Sequence, residues 1–233
     1  MQLILEELNV CYGKKRVLNE ISMAIDHKEV VALVGNNGAG KTTLLKSILG
    51  ILDTEHGRIR FDGLDITRES SHAKVQRGIV YCPQGGEVFR RLNVVENLEV
   101  AGHMERDERK VKQNMERVFE LFPALEARRY LKGGVLSGGE RQMLSLGMSL
   151  MLSPRLFLID EPSGGLSPLY VDKVFEAIRR INEEYETTIL LVEQNIEHAL
   201  EICGKVYVLR NGRIVYEGEK TGIQDVSSEC LGF

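Results

Sequence analysis

Residues 35–42 have the types and the spacing of a phosphate-binding loop. They read GNNGAGKT, which fits G-x-x-x-x-G-K-[ST], and they lie between the apolar run VVALV and a segment with helical spacing. Glycines let successive N–H groups converge on phosphate oxygens, and the following helix adds partial positive charge. Lys41 is expected to reach the β- and γ-phosphates, and Thr42 to hold Mg²⁺ through its hydroxyl. The alternative, a glycine turn of purely structural use, is disfavoured by the strand–loop–helix context. The predicted nucleotide-binding residues here are Gly35, Asn36, Asn37, Gly38, Ala39, Gly40, Lys41, Thr42 and Thr43.

Two adjacent carboxylates, Asp160 and Glu161, follow the apolar run LFLI. Successive residues of a strand point to opposite faces, so the two acids are expected to do different work. Asp160 is expected beside the nucleotide, where it binds Mg²⁺ directly or through water. Glu161 is expected to face the γ-phosphate and to polarise the attacking water. A strand that ends in a solvated turn is the alternative for this segment alone, but the phosphate-binding loop favours a hydrolytic site.

Residues 136–140, which read LSGGE, form a second candidate anion site. A hydroxyl and two glycines at a predicted helix N-terminus can present N–H groups to an anion. In isolation, a flexible turn that caps a helix explains the same residues. The segment stands between the phosphate-binding loop and the two carboxylates, and in this order it resembles the signature motif of ATP-binding cassette proteins.

The resemblance covers nearly the whole chain and carries further expectations. It implies an α/β P-loop NTPase fold with a RecA-like core, an antiparallel β subdomain and an inserted helical subdomain. It implies ATP and Mg²⁺ as ligands, with ATP bound between two cassettes. Tyr12 matches the aromatic residue that stacks on adenine, and Gln84 matches a glutamine that senses Mg²⁺ and the γ-phosphate beside the membrane partner. The signature residues, which would complete the ATP site of the opposite subunit, are Ser137, Gly138, Gly139 and Glu140.

Two positions depart from the family pattern. Gln194, in VEQN, occupies the switch position that usually holds His; it can donate a hydrogen bond to phosphate but cannot carry a positive charge. His198 lies one helical turn further on and is interpreted as a solvent-facing helix residue rather than a substitute. Ser167 stands where many cassettes have Asp, which weakens the expectation of communication between the paired sites.

The sequences VEQN, LSP and the closing CLGF together resemble one of the two ATPase subunits of branched-chain amino acid importers, and urea-type importers share this pattern. The resemblance implies polytopic membrane permease subunits as partners and a second, different cassette, which usually has His at the switch. A homodimer in isolation remains an alternative. A periplasmic or extracellular solute-binding protein would take part indirectly.

The elements that must position these residues follow an α/β order with one interruption. The first 25 residues predict an antiparallel hairpin, a pair of strands is predicted around Asp62 and Gly63, and Asn211-Gly212 predicts another hairpin. Between about 86 and 152 the pattern is helical, with one apolar helix face formed by Val111, Met115, Val118, Phe119 and Phe122. We therefore expect a single domain, 1–233, in which 1–85 and 153–233 form the α/β core with its β subdomain. The helical subdomain, 86–152, carries the signature motif.

Composition limits the partners. The formal net charge of -4 argues against a nucleic-acid-binding protein, and four scattered cysteines are typical of reduced thiols rather than disulfides or a zinc site. The N-terminus does not resemble a signal peptide, and no apolar run approaches the roughly 18–20 residues that span a bilayer. The expected location is cytoplasmic, peripheral on the inner face of the cell membrane through a partner.

Two other functions fit the sequence less well than a transporter ATPase does. A soluble, non-transport cassette acting on DNA or the ribosome would usually carry a second cassette, a coiled coil or a basic extension, and the sequence shows none of these features. A small-molecule kinase with a phosphate-binding loop would have no reason to contain LSGGE or the DEP that ends the carboxylate strand.

Overall fold

A computed structural model describes residues 1–13, 15–105 and 107–225, and these form two sheets and a helical segment. The strands are β1 (Leu3–Tyr12), β2 (Lys15–Ile25), β3 (Val30–Val34), β4 (Thr54–Phe61), β5 (Leu64–Asp65), β6 (Ile79–Cys82), β7 (Leu156–Asp160), β8 (Thr188–Glu193), β9 (Lys205–Arg210) and β10 (Arg213–Glu219). The helices are α1 (Lys41–Leu49), α2 (Ser71–Gln76), α3 (Val94–Ala101), α4 (Glu108–Leu121), α5 (Pro123–Glu126), α6 (Gly138–Leu150), α7 (Pro168–Tyr185) and α8 (Ile196–Ile202). Short 3₁₀ turns cover Gly102–Met104, Gly133–Val135 and Lys220–Asp225.

The larger sheet has the order β10-β9-β3-β8-β7-β6 and is parallel except for β10. Its strands β3, β7 and β8 are buried on both faces, and alternate residues of one strand join different cores. In β3, Val30, Ala32 and Val34 pack on the side of the helical segment, while Val31 and Leu33 pack on the side of α1. Burial of both faces explains why this strand has an unbroken apolar sequence.

The smaller sheet is antiparallel, with the order β2-β1-β4-β5, and it packs over α1. The predicted pairing of β1 with β2 is confirmed, as is the turn between β4 and β5. Asp62 and Gly63 have φ values of 48° and 79° in that turn, and Asn211 and Gly212 have 50° and 74° between β9 and β10. Short polar residues and glycine tolerate this left-handed region, so the turn chemistry predicted both hairpins correctly.

Helices α3 to α6 lie between β6 and β7 in the chain. The predicted apolar face of α4 is turned inward: Val118 and Phe119 are buried, Phe122 just beyond the helix is buried, and Val111 and Met115 are half-buried. These side chains join the core that covers one face of the parallel sheet. The helical segment is therefore packed against the sheet that carries the two carboxylates.

Parallel strands bring their carboxyl ends to one edge of the sheet, and the candidate residues collect there. β3 leads into the phosphate-binding loop, β6 is followed by Gln84, β7 ends at Asp160 and β8 is followed by Gln194. Crevices at this edge are the usual ligand sites of open α/β sheets. Among the described residues, no helix has the length and apolar character needed to cross a bilayer. The closing CLGF, including Cys230, lies outside the described residues.

Candidate active site

The phosphate loop, residues 35–42, joins β3 to α1 through backbone conformations that need glycine. Gly40 caps α1 with φ of 112°, and no side chain caps this helix. A Cβ on Gly40 would lie 2.7 Å from the Cδ2 atom of Leu18 in β2, so glycine also permits the close approach of the hairpin. Gly38 has φ of 79°, and a Cβ there would meet open space. The exposed part of the loop can therefore receive a large anion, while its base is fixed by packing.

The remaining residues of the loop follow the same division. Asn36, Asn37 and Gly38 are exposed, whereas Ala39 and Thr43 are buried. The carbonyl of Thr43 accepts a hydrogen bond from the Ser47 hydroxyl at 2.8 Å inside α1. Thr43 is thus a buried residue of α1, unlike the exposed part of the loop.

Lys41 is held tightly at the start of α1. Its side chain is only 4% exposed, and its ammonium nitrogen lies 2.7 Å from the carbonyl oxygen of Gly35 and 3.3 Å from that of Asn36. The same nitrogen forms an ion pair with Glu161 at 3.1 Å. The cation is therefore fixed at the edge of the phosphate loop, beside the carboxylate predicted to act on water.

Asp160 lies on the face of β7 that packs towards α1. Its carboxylate accepts hydrogen bonds from the hydroxyls of Thr42, at 3.2 Å, and of Tyr81, at 2.9 Å. Burial raises the pKa of Asp160, and the two hydrogen bonds act in the opposite direction. Burial also raises the pKa of Tyr81, with the neighbouring carboxylate adding to the effect, so Tyr81 remains a phenol that donates.

Glu161 does not follow the alternation that was predicted for the two acids. The strand ends at Asp160, and Glu161 has φ of 43°, so the rule of opposite faces does not extend to its side chain. Its carboxylate turns to Lys41 and accepts a hydrogen bond from the side-chain amide of Gln84 at 2.8 Å. Both acids therefore face the phosphate-loop region, but with different partners.

Gln194 and the residues around it border a cleft of about 520 Å³, which Glu161 also lines. The side chain of Gln194 is exposed, and Ser167 is exposed at the start of α7. His198 differs from its interpretation as a solvent-facing residue, because it is half-buried and its ring centroid lies 5.5 Å from that of Phe175 on α7. Packing between two helices, which one-dimensional spacing does not show, explains the difference.

The signature segment, residues 136–140, forms the N-terminus of α6. Ser137 caps the helix: its hydroxyl accepts from the N–H of Glu140 at 3.3 Å, and the Glu140 carboxylate accepts from the N–H of Ser137 at 2.8 Å. Glu140 is buried and also pairs with Arg128 at 2.8 Å. Ser137 and Gly138 are exposed, whereas a Cβ on buried Gly139 would collide with the ring of Tyr170.

The structure brings some of the predicted residues together and leaves others apart. Lys41, Thr42, Gln84, Asp160 and Glu161 form one contact network. In the ranges that the structure describes, no hydrogen bond or ion pair joins the signature segment to Lys41, Thr42, Asp160 or Glu161. Tyr12 is 49% exposed at the end of β1, in the hairpin whose second strand contacts Gly40.

The oxygen atoms of this network fit a hard divalent cation. Thr42 and Asp160 place a hydroxyl and a carboxylate 3.2 Å apart at the start of α1, and magnesium prefers such oxygen ligands. The phosphate loop fits the phosphates, because a helix N-terminus without a side-chain cap follows Gly38, which faces open space, and the Lys41 ammonium is fixed at the edge of the loop. The arrangement can therefore bind a nucleoside triphosphate and hold a carboxylate next to its terminal phosphate.

Comparison with known proteins places this fold among ATP-binding cassettes. A family model described as "ABC transporter" matches residues 18–164. The high-affinity branched-chain amino acid transport ATP-binding protein BraG of Pseudomonas aeruginosa is 41% identical over 211 residues, 90% of this chain and 89% of that protein. The probable branched-chain amino acid transport ATP-binding protein LivF of Archaeoglobus fulgidus is 38% identical over 212 residues, 91% of this chain and 89% of that protein. A solved ADP conformation of an ABC transporter cassette has a TM-score of 0.85 and 27% identity, and the match covers 98% of this chain and 95% of that one.

The fold and the site define a P-loop ATPase of the cassette type. The chain belongs to the ABC transporter family and is an ATP-binding, ATP-hydrolysing subunit of a transport system. The predicted fold class and the predicted ATPase activity are confirmed by these matches. Because the chain belongs to such a transport system, its partners include membrane permease subunits.

Sequence reasoning missed three residues that contact or adjoin predicted site residues. Tyr81 donates to Asp160, Arg128 pairs with the signature residue Glu140, and Glu193 is a buried carboxylate next to the switch position. The sequence did not identify Tyr81 as a site residue, because a tyrosine in an apolar strand is typical of a core position. Glu193 did give a sequence signal, since it is a charged residue that closes the otherwise apolar run TILLV.

Proposed function

We propose that this chain is one of two ATPase subunits of a branched-chain amino acid importer. The observation that carries the proposal is the 41% identity to BraG over nine-tenths of both chains. Gln194 in VEQN and Ser167 in the LSP turn agree with the same subfamily. The cargo itself would not contact this subunit, so its identity rests on the relatives rather than on the site.

Binding of ATP would begin at the phosphate loop. The N–H groups of the loop and of the first turn of α1 converge on the β- and γ-phosphates, and Tyr12 stacks on the adenine. Lys41 then exchanges its contact with Glu161 for the γ-phosphate. This exchange frees the Glu161 carboxylate at the moment when the substrate arrives.

Thr42 and Asp160 would hold Mg²⁺, with Gln84 completing the surroundings of the ion. The ion offsets negative charge on the phosphates, which is the chemistry that it supplies when bound. Tyr81 keeps the Asp160 carboxylate oriented, because its phenol donates to one of the two oxygen atoms.

Hydrolysis would follow from the position of Glu161. Its carboxylate polarises a water molecule for attack on the γ-phosphate, while Lys41 stabilises the charge that develops there. Gln194 lies at the end of the neighbouring strand and donates a hydrogen bond to the same phosphate. The amide of Gln194 donates a directional hydrogen bond but carries no net charge. A site with this residue therefore depends more on accurate geometry than a site with a histidine cation does.

The second half of each site would come from another cassette. Ser137, Gly138 and Gly139 present the N-terminus of α6 to the ATP of the opposite subunit, and Glu140 holds that N-terminus in shape. The subfamily pattern favours a heterodimer with a different cassette that has histidine at the position of Gln194. A homodimer is the alternative for the isolated chain.

We further propose that the chain divides into a core, 1–85 and 153–233, and a helical subdomain, 86–152. The support is that α3 to α6 all lie between the end of β6 at Cys82 and the start of β7 at Leu156. The subdomain would pass the motion of closure to a polytopic permease near Gln84. The complex would sit on the cytoplasmic face of the membrane, with a solute-binding protein acting on its far side and no nucleic acid involved.

Uptake measurements in the source organism test the cargo. Cells that lack this chain are given labelled leucine, isoleucine, valine or urea, and are complemented with the wild-type chain or with Lys41→Ala. Loss of branched-chain amino acid uptake that only the wild type restores supports the proposal. Loss of urea uptake alone would indicate the related importer type, and unchanged uptake of all four would contradict an importer for these cargos.

A further inference from the structure

A buried carboxylate joins the switch strand to the segment that follows the two acids. Glu193 ends β8 and is 1% exposed. One oxygen accepts from the backbone N–H of Ser163 at 3.0 Å; the other accepts from the Ser163 hydroxyl at 2.9 Å and from the N–H of Gln194 at 3.2 Å. The side chain therefore holds two separate segments through three donors.

The two segments are those that place the proposed hydrolytic groups. Ser163 lies two residues after Glu161, in a turn where the N–H of Gly164 donates to the carbonyl of Glu161 at 3.2 Å. Gln194 is the neighbour of Glu193 on the other segment. A shift of either segment would change the distance between the Glu161 carboxylate and the Gln194 side chain.

Burial makes this contact strong and selective. An ionised carboxylate that accepts several hydrogen bonds in a low-dielectric interior binds its donors more firmly than a neutral group does. Burial raises the pKa of Glu193, while the bonds from Ser163 and Gln194 counteract that rise. Removal of the carboxylate would leave two backbone N–H groups and a hydroxyl without their partner.

The identity of the switch residue explains why such a contact is needed here. A histidine cation attracts a phosphate over a range of positions, because Coulomb attraction falls off gradually with distance. The amide of Gln194 acts only by a directional hydrogen bond, which weakens steeply when distance or angle departs from its optimum. A neutral switch thus requires more accurate placement than a charged one.

We infer that Glu193 is a positioning residue for hydrolysis. Its hydrogen bonds to Ser163 and to the N–H of Gln194 fix the position of Gln194 relative to the turn that carries Glu161. The inference rests on the roles proposed above for Gln194 and Glu161. Glu193 itself touches neither substrate nor metal in this account. Its effect should therefore fall on turnover and leave the binding of Mg·ATP largely unchanged.

The test combines steady-state ATPase kinetics with a double-mutant cycle. Glu193→Gln keeps the size of the side chain but replaces one acceptor oxygen with a donor, and Ser163→Ala removes one donor. We expect kcat to fall about 10- to 100-fold in Glu193→Gln, with KM for Mg·ATP changed less than about 3-fold. In the Gln194→Ala background, Glu193→Gln should have a smaller effect, because only the placement of the Glu161 turn is then left to lose. Glu201→Gln, an exposed acid on α8, is the matched control and should behave as the wild type does.

Amide hydrogen exchange provides a readout that does not depend on turnover. In Glu193→Gln, exchange should rise together in the peptides that cover 161–166 and 193–196, while α1 is unaffected. A wild-type kcat in Glu193→Gln, an equal loss in the Gln194→Ala background, or faster exchange in only one of the two segments would overturn the inference. An inactive wild-type chain would instead be the behaviour expected if hydrolysis needs the second cassette, and the exchange result would then decide whether the Glu193 contacts hold the two segments.

Discussion

The N-termini of α1 and α6 are both predicted to meet phosphate, but they are built in opposite ways. α1 is capped by the backbone of Gly40 in a left-handed conformation, without a side-chain cap or an acid in its first turn. α6 is capped by Ser137, with Glu140 completing a reciprocal capping box. The backbone N–H donors at the start of α1 are thus available to a ligand, whereas the capping box of α6 satisfies some of the N–H donors at its own N-terminus.

This difference indicates that the N-termini of α1 and α6 are suited to different parts of ATP binding. A capping box stabilises a helix, but it uses two N–H groups that an anion would otherwise bind. An N-terminus without a side-chain cap, with a lysine beside it, attracts phosphate strongly. The phosphate loop is therefore suited to holding a nucleotide within one chain, and we propose that the signature segment adds a preformed but weaker surface to a site already occupied.

Substitution of Lys41 has the largest expected effect. Lys41→Ala should reduce kcat about 10²- to 10³-fold or more, because the γ-phosphate loses its nearest side-chain cation. The measurement is steady-state release of phosphate by the purified chain. Lys46→Ala, in the last turn of the same helix, is the control and should retain wild-type turnover. Comparable rates in both variants would contradict the role assigned to Lys41 at the N-terminus of α1.

Glu161→Gln should separate binding from hydrolysis. The amide keeps the shape of the side chain but cannot act as a base, so we expect Mg·ATP to bind while kcat falls about 10²-fold or more. Because hydrolysis is needed for reopening, the variant should form a dimer in saturating Mg·ATP, as measured by size-exclusion chromatography with light scattering. Glu183→Gln on α7 serves as the control. Near-normal turnover in Glu161→Gln would exclude the role assigned to this carboxylate.

Removal of the capping box should affect stability more than nucleotide binding. Glu140→Ala leaves the N–H of Ser137 and the guanidinium of Arg128 without their shared partner, and should lower the free energy of unfolding by about 1 kcal/mol. Urea denaturation measures the loss, with Glu126→Ala on α5 as an exposed control. The affinity of the single chain for ATP should stay the same. A large drop in that affinity would mean that the two helix ends are not independent.

The smallest expected effect concerns the opposite end of α1. Lys74 is fully buried, its ammonium donates to the carbonyl of Ile48 at 2.9 Å, and burial lowers its pKa to about 8. Below pH 8 the folded and unfolded chains both carry this proton, whereas between about pH 8 and 10.5 the unfolded chain holds it more tightly. The free energy of unfolding should therefore rise with pH in this window, by roughly 1 kcal/mol between pH 8 and pH 9.5 relative to Lys74→Met. Parallel pH profiles for the two chains in urea denaturation would contradict a buried charge at this end of the helix.

The sequence predicted the elements of the site better than their contacts. Strand–loop–helix spacing located the phosphate loop, and the alternation of β7 placed Asp160 on the side of α1, next to Thr42. The alternation rule did not extend to Glu161, because its φ of 43° is a property of one residue after the strand has ended. The contact of Tyr81 with Asp160 spans 79 positions in the chain and follows from the pairing of β6 with β7, which local patterns do not specify.

The central claim is that the phosphate loop of one chain and the signature segment of another complete one ATP site. Two copies of the chain joined by a flexible linker test it, with Lys41→Ala and Ser137→Arg either divided between the copies or placed in the same copy. The account predicts ATP hydrolysis in the divided arrangement, where one site keeps both intact parts, and none when both substitutions share a copy. Hydrolysis only when both substitutions share a copy would show that each chain uses its own signature segment, and would contradict the account.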